Sequence, residues 1–204
     1  LTVIKGYNEM LSKGQFTQVS DQARAFSRVG SEIERMESLI HDLLLLAELG
    51  ESKPVNFAEV DFDELVKAHV NDFKVLNTSR TVTTVIPDDC FVQGSREHLS
   101  RLIQNCLSNI LRHTPGDAPV SVSLRNSGKR AELRIEDGGP GLPDSAYGSE
   151  IKFMNRFDPS RSRESGGSGL GLSIIAAIVQ EHSGELELSK SQLGGLAVTI
   201  KIPN

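Results

Sequence analysis

Apolar residues recur at helical spacing in the first quarter of this chain and alternate as strands do further on. Leu1, Ile4, Tyr7 and Leu11 keep a helical period, and Gly14 marks a stop. After a polar stretch at 15–20, a long helix is predicted from about Asp21 to Leu49. Its Val29, Ile33, Met36, Ile40, Leu43 and Ala47 alternate steps of four and three, which is a coiled-coil seam. At 1.5 Å per residue the helix is about 43 Å long. The seam can pack on its own domain, or it can pair with a second copy of the chain. One short preceding helix does not cover that length, so we expect an antiparallel helix pair that dimerises into a four-helix bundle.

Gly50 to Pro54 breaks the pattern and reads as a linker. Asp61 with Glu64 three residues on is a capping box opening a helix with Phe62, Leu65, Val66, His69, Val70 and Phe73 on its apolar face. Thr81–Ile86 and Cys90–Val92 read as strands. Ser95 opens a strongly periodic helix carrying Leu99, Leu102, Ile103, Cys106, Leu107 and Ile110. Val120–Leu124 and Ala131–Ile135 alternate as strands joined through Asn126-Ser127-Gly128. Residues 137–170 are rich in Gly, Pro, Ser and charge, and so long a loop reads as a lid. A helix at 172–182 and strands at 184–189 and 196–202 close the chain, with Gly194-Gly195 between those strands. The expected fold is α+β: a helical hairpin at 1–50, a linker at 51–55, and an α/β sandwich at 56–204.

Composition narrows the function classes. A net charge of −5 leaves no electrostatic footprint for nucleic acid. Cys90 and Cys106 lie in apolar surroundings without metal-ligand spacing and read as buried thiols in a reducing compartment, with a single disulfide as the alternative. The longest apolar run, Leu43–Ala47, is too short to span a bilayer. The chain opens in mid-pattern without a methionine, and we read it as a piece of a longer protein.

The chemistry concentrates in two places. Gly167, Gly169 and Gly171 alternate just before a helical pattern, which suits a phosphate held by free N–H groups at a helix start. The spacing matches neither the P-loop nor the dinucleotide fingerprint, so an ordinary flexible loop is the competing reading. Asn105 and Asn109 share one face of a helix, and Arg112 and His113 extend it by a turn. Two amides on an apolar helix are either capped surface residues or oxygen ligands for Mg²⁺. Asp137-Gly138-Gly139-Pro140-Gly141 directly follows a strand. It is either a turn or a place where Asp137 accepts a hydrogen bond from the exocyclic amine of adenine.

In order, Asn105-x-x-x-Asn109, Asp137-x-Gly139-x-Gly141, Arg156-Phe157 and Gly167-x-Gly169-Leu170-Gly171-Leu172 resemble the N, G1, F and G2 boxes of sensor histidine kinases. Their ATP-binding domain shares the Bergerat plan of gyrase, MutL and Hsp90. Leu1-Thr2-Val3-Ile4-Lys5-Gly6-Tyr7 resembles the segment that follows the family's phosphoacceptor histidine, Ser38 to Leu49 resembles the end of its second dimerisation helix, and His182-Ser183-Gly184 resembles its His-Gly-Gly.

The resemblance implies a protein-histidine kinase region that binds ATP and Mg²⁺. It would pass the γ-phosphoryl to a histidine and then to an aspartate of a response-regulator receiver domain. It implies Mg²⁺ and phosphates at Asn105 and Asn109, and phosphates near Arg112 and His113. It further implies adenine at Asp137, a pocket lined by Gly139 and Gly141, and phosphates on Gly167, Gly169, Leu170, Gly171 and Leu172, with Arg161 and Arg163 reaching in from the lid. Homodimerisation through the hairpin and a cytoplasmic position in a membrane sensor are implied too, with any membrane segment lying upstream.

The family's acceptor histidine falls before Leu1, and His41, His69, His98, His113 and His182 do not match it. The chain as given is therefore expected not to phosphorylate itself. Two departures stand out: Gly138 where the family has Asn, and Met154 where it has Phe. They leave two rivals, another ATPase of the same fold and a docking module whose lid no longer supports turnover.

Overall fold

The computed structural model describes residues 2–14, 19–50, 57–144, 147 and 170–204. The chain divides into two compact units, Leu1–Leu45 and Leu46–Asn204. Each is described by itself.

Helix α1 (Thr2–Ser12) and most of α2 (Val19–Gly50) form the first unit. At 32 residues α2 is about 48 Å long. It begins two residues ahead of the expected start. Among the described residues the predicted seam is left largely uncovered. Ile33, Ile40 and Leu43 are exposed, Ile40 by 54%. Val29 and Met36 are half-buried. Phe26, three residues before Val29 and 62% exposed, lengthens the seam by one further step beyond the expectation. The expected linker at 51–55 lies outside the described residues.

In the second unit, β1 (Ala58–Asp61) leads into α3 (Phe62–Leu76), followed by β2 (Val82–Val85), β3 (Phe91–Gly94), α4 (Arg96–His113), β4 (Val120–Asn126) and β5 (Arg130–Asp137). Helix α5 (Gly171–Glu181) and strands β6 (Glu185–Lys190) and β7 (Leu196–Pro203) complete it. Strand β1 was not anticipated. It pairs antiparallel with β3, and its Ala-Glu-Val-Asp, with two acids and one buried apolar residue, carries little strand signal.

The main sheet runs β2-β4-β5-β7-β6, with β2 parallel to β4 and the other pairs antiparallel. Alternation sorts its faces. Val120, Val122 and Leu124 on β4 share one buried face with Ala131, Leu133 and Ile135 on β5 and with Ile200 and Ile202 on β7. The other face of β5 carries Glu132, Arg134 and Glu136, with Arg134 bonded to Glu136 at 3.0 Å.

The apolar stripes of α4 and α5 complete the core. Leu99, Leu102, Ile103, Ile174, Ile175 and Ile178 are fully buried, each gaining about 1.5–3 kcal/mol. Local caps set where the helices begin. Asp61 Oδ1 accepts from Glu64 N at 3.0 Å, and Ser95 Oγ from His98 N at 3.3 Å. Both cysteines are free and buried, and burial pushes the Cys106 thiol up to about 12. No described helix is long and apolar enough to cross a membrane.

Candidate functional site

Two helices and the end of one strand pair bring the predicted residues together. Asn105 and Asn109 are both half-buried on α4. Asn105 Nδ2 donates to Arg101 O one turn back, at 2.9 Å. Spending the amide donors on the helix itself leaves Oδ1 pointing away from it. That oxygen meets Gly171, the first residue of α5. A Cβ built on Gly171 would lie 2.9 Å from Asn109 Oδ1 and 3.4 Å from Asn105 Oδ1. Any side chain here would press on Asn109 and touch Asn105, so glycine lets the start of α5 reach them.

The opening of α5 has no side-chain cap, because Leu170 carries no acceptor, and its first turn has no acid. Its leading N–H groups and positive dipole end are therefore presented beside two amide oxygens. Arg112 and His113 lie exposed in the last turn of α4, bonded to no described residue. Leu172 is half-buried on α5. Arg161, Arg163, Gly167 and Gly169, together with Arg156-Phe157 and Met154, lie outside the described residues.

Asp137 ends β5. Alternation puts it on the buried face with Leu133 and Ile135, so the strand delivers a carboxylate where an apolar residue would otherwise point. It is 6% exposed. Oδ1 accepts from Gly139 N at 2.8 Å and Leu196 N at 3.3 Å. Among the described residues nothing bonds Oδ2, so one acceptor is fixed and the other is left for a ligand donor. Gly141 follows with φ +67°, beside Tyr147, whose hydroxyl accepts from Leu142 N at 2.7 Å.

Sequence reasoning missed two members of this group. Gly195, in the β6–β7 turn, donates its N–H to Asp137 O at 3.0 Å, and a Cβ there would collide with Asp137 Oδ1. The Gly194-Gly195 pair was visible, but only the β5–β7 pairing reveals its partner. Thr114, just past α4, lays its methyl on Gly139. Its signal was its place after the Asn105–His113 face.

Gly138 also finds a reason. A Cβ there would come within 2.7 Å of the Pro119 ring, while Gly138 N donates to Pro119 O at 2.9 Å. The departure from Asn is thus fitted to the neighbouring proline.

The donor set suits a hard cation carried in with an anionic ligand. Two neutral amide oxygens converge beside Gly171, and no described group of three or more His, Cys, Asp or Glu is placed to hold a metal alone.

The comparisons with known proteins concern the family and the fold. The family described as "Histidine kinase-, DNA gyrase B-, and HSP90-like ATPase" matches residues 94–204, and the His Kinase A (phospho-acceptor) domain matches residues 1–52. The probable sensor histidine kinase TcrY of Mycobacterium tuberculosis (strain ATCC 25618 / H37Rv) is 32% identical over the whole chain, which covers 42% of it. The signal transduction histidine-protein kinase BaeS of Escherichia coli (strain K12) is 30% identical over 94% of the chain, covering 43% of BaeS. The chain thus spans less than half the length of these relatives.

Among solved structures, the mycobacterial sensor histidine kinase MprB superposes with a TM-score of 0.62 at 27% identity, covering 72% of this chain and 97% of that one. The Acinetobacter baumannii histidine kinase AdeS does so at 0.75 and 21% identity over 99% and 93%, which speaks for the fold alone. With the ATPase family spanning more than half of the chain and the phospho-acceptor family the helices before it, this chain belongs to the sensor histidine kinases of two-component systems, within the histidine kinase, gyrase B and HSP90-like ATPases.

Proposed function

We propose that residues 56–204 bind Mg·ATP, and that the whole protein transfers its γ-phosphoryl to a histidine and then to a response-regulator aspartate. The observation that supports this most is the meeting of the two amides of α4 with the first residue of α5 at Gly171. It sets a helix start without a side-chain cap and two amide oxygens around one point, as suits a metal-bound polyphosphate.

In this reading Asp137 Oδ2 accepts the exocyclic amine of adenine, while Gly139 and Gly141 border the ring. The start of α5 at Leu170, Gly171 and Leu172 holds phosphate oxygens, joined by Arg112 and His113. Arg161, Arg163, Gly167 and Gly169 extend the same role from the lid. Asn105 and Asn109 hold Mg²⁺, which when bound neutralises phosphate charge. Transfer is then in-line attack of an imidazole nitrogen on the γ-phosphorus with ADP leaving, so the domain contributes positioning and charge rather than covalent chemistry.

Residues 1–50 supply the dimer and the docking face for the receiver domain. The uncovered seam on α2 supports the dimer. The pairing of Gly138 with Pro119 argues against the degenerate-module rival, because it makes the altered residue part of a fitted turn.

The test is titration with a fluorescent ATP analogue and competition by ADP and GTP. Displacement by ADP with little by GTP is expected, and equal displacement overturns the adenine assignment. Incubating γ-labelled ATP with a version extended upstream to include the acceptor histidine should give acid-labile, base-stable label. No label on that version sinks the kinase reading.

A further inference from the structure

Arg80 closes the turn between α3 and β2, its own N–H bonded to Asn77 O at 3.1 Å. Its side chain turns inward and the residue is only 8% exposed. A guanidinium buried to that degree is ordinarily matched by a carboxylate. Here its described partners are neutral oxygens instead. Nη1 donates to Thr114 Oγ1 at 2.7 Å and Ala118 O at 3.4 Å, and Nη2 donates to Thr114 O at 3.3 Å. The planar fork thus grips the hydroxyl and the carbonyl of one threonine, which a single ammonium does not reproduce.

Thr114 is fully constrained by this grip. Its Oγ1 accepts from Arg80 and donates to Ile110 O at 2.7 Å. With the hydroxyl engaged in both directions, the methyl has one place left to go. It lies on Gly139, where an added Cβ would come 2.5 Å from Thr114 Cγ2. Gly139 N in turn donates to Asp137 Oδ1 at 2.8 Å. An unbroken chain of contacts therefore runs from Arg80 to the carboxylate, through residues 34 and 25 positions apart in sequence (80 to 114, 114 to 139).

We propose that Arg80 is a positioning residue for base specificity: acting through Thr114 and Gly139, it fixes the direction in which Asp137 accepts the amine of a purine. This rests on the adenine reading of Asp137. The nearer members explain the residue types. Valine at 114 keeps the shape but removes the acceptor. Serine keeps the acceptor but removes the methyl against Gly139.

The experiment measures dissociation constants of the full chain for ATP and for inosine triphosphate, which carries a carbonyl in place of the amine. Thermal midpoints are recorded for each variant. Arg80→Lys and Thr114→Ser should each lower the preference for ATP by roughly threefold to tenfold, the range of one net hydrogen bond, with inosine triphosphate affected less. Thr114→Ser leaves the bonds of Arg80 intact, so it tests the path even if Arg80→Lys folds poorly. Adding Arg80→Lys to Asp137→Asn should bring no further loss of preference, because both act on one contact. Equal weakening of both nucleotides, or a lower midpoint with an unchanged preference, overturns the proposal and leaves Arg80 a structural role only. If Asp137→Asn alone leaves the preference unchanged, the adenine reading fails and carries this inference with it. Loss in Asp137→Asn but not in Arg80→Lys or Thr114→Ser sinks this inference alone.

Discussion

Asp137 commits one carboxylate oxygen to the fold and, in the proposed reading, the other to adenine. Oδ1 is held by Gly139 N and Leu196 N, so in Asp137→Asn the amide oxygen keeps those bonds and the NH₂ replaces Oδ2. A donor then faces the adenine amine. Binding should weaken by about 1.5–3 kcal/mol with little change in thermal midpoint; calorimetry with Mg·ATP reads both, and an unchanged dissociation constant removes Asp137 from the site. His182 is the second instructive residue. It is 3% exposed, its Nδ1 bonds Ile178 O at 2.8 Å, and its Nε2 therefore accepts from Ser95 N at 3.1 Å. Phe57 stacks on the ring with centroids 4.7 Å apart. Burial holds this imidazole below its ordinary 6.5, with His98 acting in the same direction and Ile178 O and Glu181 opposing. A depressed folded value means that the stabilising contribution is complete above 6.5 and is lost as pH falls from there through the folded value. His69, also held down by burial, adds to the same slope. NMR should find His182 titrating below the ordinary 6.5, and His182→Gln should flatten the fall of thermal midpoint as pH drops below 6.5.

At the scale of elements, α2 carries the clearest unmet demand. Phe26, Ile33, Ile40 and Leu43 are exposed along one heptad seam, and each gains about 1.5–3 kcal/mol when covered. Ile40→Glu should convert dimers to monomers in sedimentation while the second unit keeps its nucleotide affinity. A chain that is monomeric before substitution refutes the dimer. Helix α4 works at both ends. Ser95 starts it beside His182, its core-facing stripe buries Leu102, Ile103 and Cys106, and its C-terminal half bears Asn105 and Asn109. Strand β5 likewise ends on the site residue that its alternation aims inward.

For the molecule as a whole, ligand binding and stability are linked. A ligand that binds the folded chain raises its stability by about 2.7 kcal/mol at a hundredfold excess over the dissociation constant. Mg·ATP should therefore raise the thermal midpoint of the second unit. Chelating the metal should remove part of that rise, and Asn109→Asp should alter the metal-dependent part more than the remainder. An equal effect on both parts contradicts the metal role of the amides.

The sequence by itself determined the elements and the order of the site. Heptad steps announced α2, and helical periodicity announced α4 and α5. Alternation announced β4, β5 and β7, and the boxes around Asn105, Asp137 and Gly171 appeared in chain order. These are properties of neighbours along the chain, where spacing alone says which face a residue takes. Strand β1 escaped because Ala58-Glu59-Val60-Asp61 sets two acids around a single buried apolar residue, and because its pairing with β3 is a contact across the chain. Only the tertiary structure decided that Gly195 shelters Asp137, that Pro119 occupies the space beside Gly138, and that Arg80 reaches Thr114. Each depends on packing between elements far apart in sequence, and close packing leaves one arrangement that no local pattern encodes.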